Sequence, residues 1–264
     1  MAPAGKPAVG GRMGQKGGVS RDEVVQACLD LFEDADYLEV GVAMAKTFQK
    51  VRAARKVAVD PAFGPGVSDL LATLDGVQAH QVTSDAFFGA IAGGRRFDAI
   101  YLDGLHTFEQ TLRDLLNAVA LLKEPGVIVV DDAYPDSDHG SLPDRGRSKL
   151  IMRETGPDNR RRMGDAYKLT FFIDTFLQQF TYAMTSDNHG QLIVWRKARP
   201  EVTERSVEAV ARAPWEQVFV EAEAQRRAPL AAIIAGVARD LGRPMPALRV
   251  AAPAPGAEAS QGAA

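Results

Sequence analysis

Five short apolar runs, each closing on a polar or acidic residue, alternate along this chain with segments of helical periodicity, and no other feature restricts the fold as much. The runs are Tyr37–Val42, Lys56–Asp60, Val77–Thr83, Phe97–Leu102 and Val127–Val130. Helices are predicted over residues 44–54, over about 66–74 and after Thr107. The last is the best marked. Thr107-x-x-Gln110 predicts a capping box, Phe108, Leu112, Leu115, Leu116, Val119 and Leu122 form an apolar stripe, and Pro125-Gly126 predicts the stop. Strands alternating with helices make right-handed βαβ units and a mostly parallel sheet buried on both faces, an α/β fold.

The flanks read differently. Ser20-x-x-Glu23 predicts a helix start before Val24, Val25, Cys28, Leu29 and Phe32. Residues 133–165 are polar and too long for an ordinary connection, so they are expected to form a lid or insert. A helix is predicted over Ala166–Leu177, then two strands, Phe180–Thr185 and Gln191–Arg196, joined by Ser186-Asp187-Asn188-His189-Gly190. That pair predicts an antiparallel hairpin at the end of the sheet. The main domain is thus placed at residues 20–198, with a C-terminal helical appendage over 199–250. Within it, Trp215, Val218, Phe219 and Ala222 are expected on one helix face, packed on the sheet or on a second copy of the chain in a homo-oligomer. Trp195 and Trp215 read as core or interface residues. Residues 1–19 hold six glycines and no acid, and 251–264 are Ala/Pro/Gly-rich, so both ends read as disordered tails.

Composition narrows the partners. With 31 Lys+Arg against 34 Asp+Glu, the net charge of −3 supplies no field for gripping nucleic acid or an anionic membrane. The longest apolar stretch, Pro229–Ala238, is about half of a membrane span. A single cysteine, Cys28, excludes an internal disulfide framework and a thiolate zinc cluster and suits a reducing, cytoplasmic setting.

Open α/β sheets bind ligands at the carboxyl ends of their strands, so those ends are the candidate site. The first run closes on Glu39-Val40-Gly41-Val42, where glycine lets the backbone turn sharply beside a ligand. The second closes on Asp60, 21 residues after Glu39, an acid placed to bond both hydroxyls of a ribose. The third leads to Ser84-Asp85, the fourth to Asp103-Gly104-Leu105-His106, and the fifth to Asp131-Asp132. Read singly, each has a plainer alternative. Gly41 serves as a turn, Asp60 starts one before Pro61, the acid pair lies in a solvated loop, and His106 caps a helix. Their convergence on one rim of one sheet favours a site.

Together these motifs resemble class I S-adenosylmethionine-dependent methyltransferases. The likeness covers about residues 35–197 and rests on Tyr37-Leu38-Glu39-Val40-Gly41-Val42, Val57-Ala58-Val59-Asp60-Pro61, Phe97–Gly104 with His106, and Gly126–Asp132. Within the superfamily, the sequence is most similar to the Asp-Gly-x-His branch, which includes metal-dependent sugar and macrolide O-methyltransferases. The resemblance implies a Rossmann-like sheet ending in a hairpin, S-adenosylmethionine as cofactor, and a hydroxyl of a sugar, glycan or secondary metabolite as acceptor. It implies that Glu39, Gly41 and Val42 line the methionine end of the cofactor, that Asp60 holds the ribose, and that Ser84 and Asp85 lie near the adenine. Asp103, which would also border the cofactor, Asp131 and Asp132 would bind Mg²⁺, and His106 would deprotonate the acceptor. Hard oxygen donors suit Mg²⁺, and a cation lowers the pKa of a bound hydroxyl. One departure is Ala45, where the family usually has a second glycine. Another is the basic run Arg145, Arg147, Lys149, Arg153, Arg160, Arg161 and Arg162, either a solvated loop or a lid for an anionic acceptor. The rival readings are a nucleotide-binding oxidoreductase, disfavoured by the lack of Gly-x-Gly-x-x-Gly, and a non-catalytic cofactor-binding protein.

Overall fold

The computed structural model describes residues 18–156 and 161–248. Both expected tails fall almost wholly outside the described residues, as does Arg160. The strands are β1 (Asp36–Val40), β2 (Arg55–Val59), β3 (Val77–His80), β4 (Phe97–Leu102), β5 (Leu122–Val130), β6 (Phe180–Thr185), β7 (Leu192–Arg196) and β8 (Arg227–Ala228). They form one sheet in the order β3-β2-β1-β4-β5-β7-β6-β8. The first five strands are mutually parallel; β7 runs antiparallel to β5 and to β6. Strand order reverses between β1 and β4, which fixes the ligand crevice of such a sheet above their carboxyl ends.

Helices cover both faces. They are α1 (Arg21–Leu29), α2 (Val67–Ala72), α3 (Ser84–Ala86), α4 (Phe108–Leu121), α5 (Arg145–Thr155), α6 (Lys168–Phe176), α7 (Val207–Arg212), α8 (Gln217–Val220) and α9 (Leu230–Leu241). Leu38, Val40, Ile100, Leu102, Ile128 and Val130 pack with α4 and α6. Tyr37, Ala99, Tyr101, Val127 and Val129 pack with α1, α2 and α9. The two-residue period of a strand separates these sets. Carried past the strand ends, that period puts Glu39, Asp103 and Asp131 on the α1 face, and Tyr37 and Tyr101 sit two residues before the first two acids.

Several local expectations are corrected. Residues 44–54 form no helix. Ala43 and Ala45 are both left-handed, at φ 46° and 55°, which breaks helical propagation. The buried Lys56 ammonium then donates to the carbonyls of Phe48 and Val51, oxygens a helix would need for itself. The Thr107–Gln110 capping box does not form. Asp165 caps α4 instead, its Oδ1 accepting from the Phe108 amide at 2.8 Å, while Gln110 donates to Ser84, Asp85 and Asp114. Pro125-Gly126 does not stop α4, because the chain enters β5 at Leu122 and Pro125 lies where the β4–β5 register shifts. The expected insert contains α5, capped by Asp144 on the Arg147 amide and ended by Gly156 at φ 53°.

The Ser20–Glu23 box does form, Glu23 Oε2 accepting from the Ser20 amide at 2.7 Å. The hairpin and the C-terminal helices are present too. The C-terminal segment also supplies the edge strand β8, and α9 buries Leu230, Ile233, Ile234 and Val237 against α1. Trp195 is buried there, its indole N–H on Asp240. Trp215 and Val218 face inward, but Ala222 is exposed, since Glu221 leaves helical geometry and turns the residues after it away from that face. No helix among the described residues is long and apolar enough to cross a membrane.

Gly41 ties the crevice together. At φ 92° it passes so close to β4 that an added Cβ would stand 2.0 Å from the Asp103 carbonyl oxygen. Left-handed strain and overpacking act together there, so Gly41→Ala is expected to lose about 3 kcal/mol or more of stability. Urea denaturation checks this; a loss under about 1 kcal/mol would show that the two strand ends can part.

Candidate active site

The two sides of the crevice are built differently. On the β1–β2 side, Asp60 is tied to backbone: Oδ2 accepts from the Ala43 amide and Oδ1 from the Ala62 amide, both at 2.8 Å. Its carboxylate thereby shapes the loop after β1, with Val42 buried beneath. Glu39 is 1% exposed and accepts the Tyr37 hydroxyl at 2.6 Å. Burial pushes its carboxyl up to about 8, against the opposing pull of Tyr37 and Lys56. Ser84 and Asp85 open α3 after β3, linked to α4 through Gln110 and, for Asp85, through Arg113.

Charge is concentrated on the β4–β5 side. Asp131 is fully buried, Asp132 is 3% exposed, and Asp103 lies beside them. Burial and the neighbouring Asp131 push Asp103 well above the usual carboxylate range and raise Asp132 as well. Burial also opposes the charged form of Asp131, yet His189 and Arg21 hold its carboxyl below the usual range. Arg21 Nη2 stands 2.8 Å from Asp131 Oδ2 and 3.3 Å from Asp132 Oδ1. His189 Nε2 lies 2.8 Å from Asp131 Oδ1.

His106 faces the same acids, with Nε2 3.3 Å from Asp103 Oδ1 and 3.7 Å from Asp132 Oδ2. Burial keeps its imidazole below the ordinary range despite the pull of Asp132 and Asp131. Burial thus favours the neutral ring, the form a proton acceptor must take. Its backbone is left-handed at φ 56°, as is that of Asp132 at 50°. The Gly164–Asp165 loop holds it: the Asp165 amide donates to the His106 carbonyl at 3.1 Å, and a Cβ on Gly164 would stand 1.9 Å from that oxygen.

The expected residues thus fall into two groups. Glu39, Gly41, Val42 and Asp60 frame the first loop, while Asp103, His106, Asp131 and Asp132 form one charged cluster. Ser84 and Asp85 stand at the neighbouring strand end. Of the expected metal ligands, only Asp131 and Asp132 share a donor group whose atoms lie within 4.8 Å of one another, and the third member is His189. Asp103 directs its carboxylate to His106 and Tyr101. Arg21, His189 and Asp165 were missed. His189 alone carried a signal: a hairpin beside β5 returns its turn to the same rim.

A methyltransferase-domain family model matches residues 38–133. That span runs from β1 to just past Asp132 and leaves out the hairpin and the C-terminal helices. No curated protein is detectably similar in sequence. Among solved structures, an O-methyltransferase from Bacillus cereus in complex with SAH is 14% identical, with 69% of this chain and 84% of that one covered at a TM-score of 0.46. An O-methyltransferase from Streptomyces achromogenes involved in tomaymycin synthesis, in complex with SAM, is 15% identical over 68% and 82%, with a TM-score of 0.46. The plantazolicin methyltransferase BpumL in complex with a monoazolic desmethylPZN analogue and SAH is 12% identical over 67% and 82%, with a TM-score of 0.47.

Glu39 offers a test independent of any ligand. Its folded carboxyl holds a proton up to about 8, whereas the unfolded chain releases it near 4.5. Between those values the unfolded state binds fewer protons, so this group makes stability fall as pH rises, by up to about 1.4 kcal/mol per pH unit. Glu39→Gln is expected to remove that loss and to be more stable than wild type at pH about 8 but not at pH about 5. Parallel melting curves at the two pH values would contradict the buried, protonated state.

Proposed function

We propose that this chain is an S-adenosylmethionine-dependent O-methyltransferase of the class I type, acting on a hydroxyl of a sugar, glycan or other secondary metabolite. The observation that carries the reading is His106, with Nε2 3.3 Å from Asp103 and 3.7 Å from Asp132, set across the strand-order reversal from the Gly41 loop and Asp60. The family match over residues 38–133 spans that same set of strand ends. S-adenosylmethionine supplies a methyl group already activated on a sulfonium, so the protein's work is alignment and deprotonation.

In this reading Gly41 and Val42 make room for the methionine end of the cofactor, with Glu39 as the protonated floor beneath it. Asp60 accepts the ribose hydroxyls while its amide contacts hold the loop. Ser84 and Asp85 border the adenine. His106 Nε2 takes the proton of the acceptor hydroxyl, and the negative charge of Asp132 and Asp131 favours the imidazolium that results. A divalent ion such as Mg²⁺ fits the oxygen donors of Asp131 and Asp132, and the buried Asp131 Oδ2 lacks a hydrogen bond. Such an ion would lower the pKa of a bound hydroxyl. Arg145, Arg147 and Lys149, exposed on α5, suit an acceptor that carries negative charge.

Calorimetry with S-adenosylhomocysteine tests the cofactor half. Asp60→Ala is expected to weaken binding about ten- to a hundred-fold, the worth of two charge-assisted bonds, and adenosine should compete. No binding to the wild-type chain, alongside a thermal shift with NAD, would transfer the case to the oxidoreductase reading.

His106→Ala is expected to lower turnover by about 10²–10⁴-fold, followed as labelled methyl passed from S-adenosylmethionine to an extract of host metabolites. Cofactor affinity should persist, and the loss should shrink at high pH as the acceptor ionises unaided. A variant within about three-fold of wild type at neutral pH would remove His106 from the reaction.

A further inference from the structure

The contacts of His189 cannot all be satisfied by the chain's own protons. Its Nε2 lies 2.8 Å from Asp131 Oδ1 and also receives the Nε–H of Arg21 at 3.2 Å. A ring nitrogen carries either a proton or a lone pair. Protonated, Nε2 donates to Asp131 and meets the Arg21 N–H hydrogen against hydrogen. Unprotonated, it accepts from Arg21 and turns its lone pair on a carboxylate oxygen. One contact is repulsive in either state. Asp131 adds a second mismatch, for its Oδ2 is buried and, although 2.8 Å from Arg21 Nη2, is not aligned for a hydrogen bond.

A cation resolves both at once. A divalent ion accepts the Nε2 lone pair and one oxygen from each of Asp131 and Asp132, donors that already lie within 4.8 Å of one another. Arg21 meets the same atoms from α1, and its side chain is 40% exposed, so rotation about its own bonds withdraws it. We propose that Asp131, Asp132 and His189 form a divalent-cation site in which the Arg21 guanidinium is the resident placeholder, so that ion binding and Arg21 docking exclude one another. The imidazole makes the site better suited to a first-row transition ion such as Mn²⁺, which accepts a nitrogen donor, than to Mg²⁺. Asp103, turned to His106 and Tyr101, lies outside the first coordination sphere. This inference rests on the cation role given to Asp131 and Asp132 in the proposed function and is independent of methyl transfer.

The test is a Mn²⁺ titration of the full-length chain, read as loss of the free-ion electron paramagnetic resonance signal. An occupied site lowers apparent affinity by the fraction of molecules in which it is open. Arg21→Gln is therefore expected to bind Mn²⁺ about ten-fold or more tightly than wild type. Adding His189→Ala to that variant should cost about ten-fold or more, and Mg²⁺ should displace Mn²⁺ poorly. Equal affinity of wild type and Arg21→Gln, or unchanged binding after loss of His189, overturns the proposal. Should Arg21→Gln fail to fold, Arg21→Lys replaces a fork spanning two carboxylates with a point charge. It is expected to bind Mn²⁺ about three-fold or more tightly than wild type, and an unchanged affinity overturns the proposal equally. Wild-type binding of S-adenosylhomocysteine, measured separately, reports on the methyltransferase reading alone.

Discussion

Three carboxylates crowded at the ends of two adjacent strands are the constraint to which the surrounding structure answers. Like charges that share a buried site cannot all ionise unless cations or hydrogen bonds compensate them. Here compensation comes from two separate parts of the chain. Arg21 reaches in from α1 and His189 from the β6–β7 turn. Each part is then secured in its own right. The Val19 amide bonds the Asp187 carbonyl, which fastens the entry to α1 onto the hairpin turn. Asp187 also accepts the Leu230 amide at the start of α9. The C-terminal segment is thereby linked to the site through a single turn.

Much of this was legible because strand periodicity is a strong signal. Apolar runs located the first five strands, although β5 begins at Leu122, ahead of its run, and their polar ends located the rim. The same two-residue period places Glu39, Asp103 and Asp131 on the α1 face, so a helix over that face had to cover negative charge. What periodicity cannot convey is which distant side chain meets which. Arg21 reads as an ordinary first-turn residue, and His189 as one polar member of a turn. Asp165 lies in a polar stretch with nothing to mark it as the cap of α4, 57 residues from Phe108 along the chain. Residues 44–54 failed for a related reason. Their helical pattern is real, but Lys56, buried beneath them, takes the carbonyls a helix would use.

Backbone strain maps onto the same rim. Among the described residues, six that are not glycine have positive φ, and four of them, Ala43, Ala45, His106 and Asp132, border the crevice. A left-handed alanine costs about 1–2 kcal/mol, and such conformations persist only where surroundings over-determine them. Ala43 is held by Asp60, which takes its amide, and His106 by the Asp165 amide on its carbonyl. The fold therefore spends stability on the loops at the two strand ends flanking the order reversal. This bears on Ala45, the position where a glycine would be relaxed. The fully buried alanine adopts a left-handed conformation that a glycine would take without strain, so this loop carries an energy cost that a glycine there would not. The Asp60 contacts on the Ala43 and Ala62 amides offset that cost and fix the loop beside the charged rim.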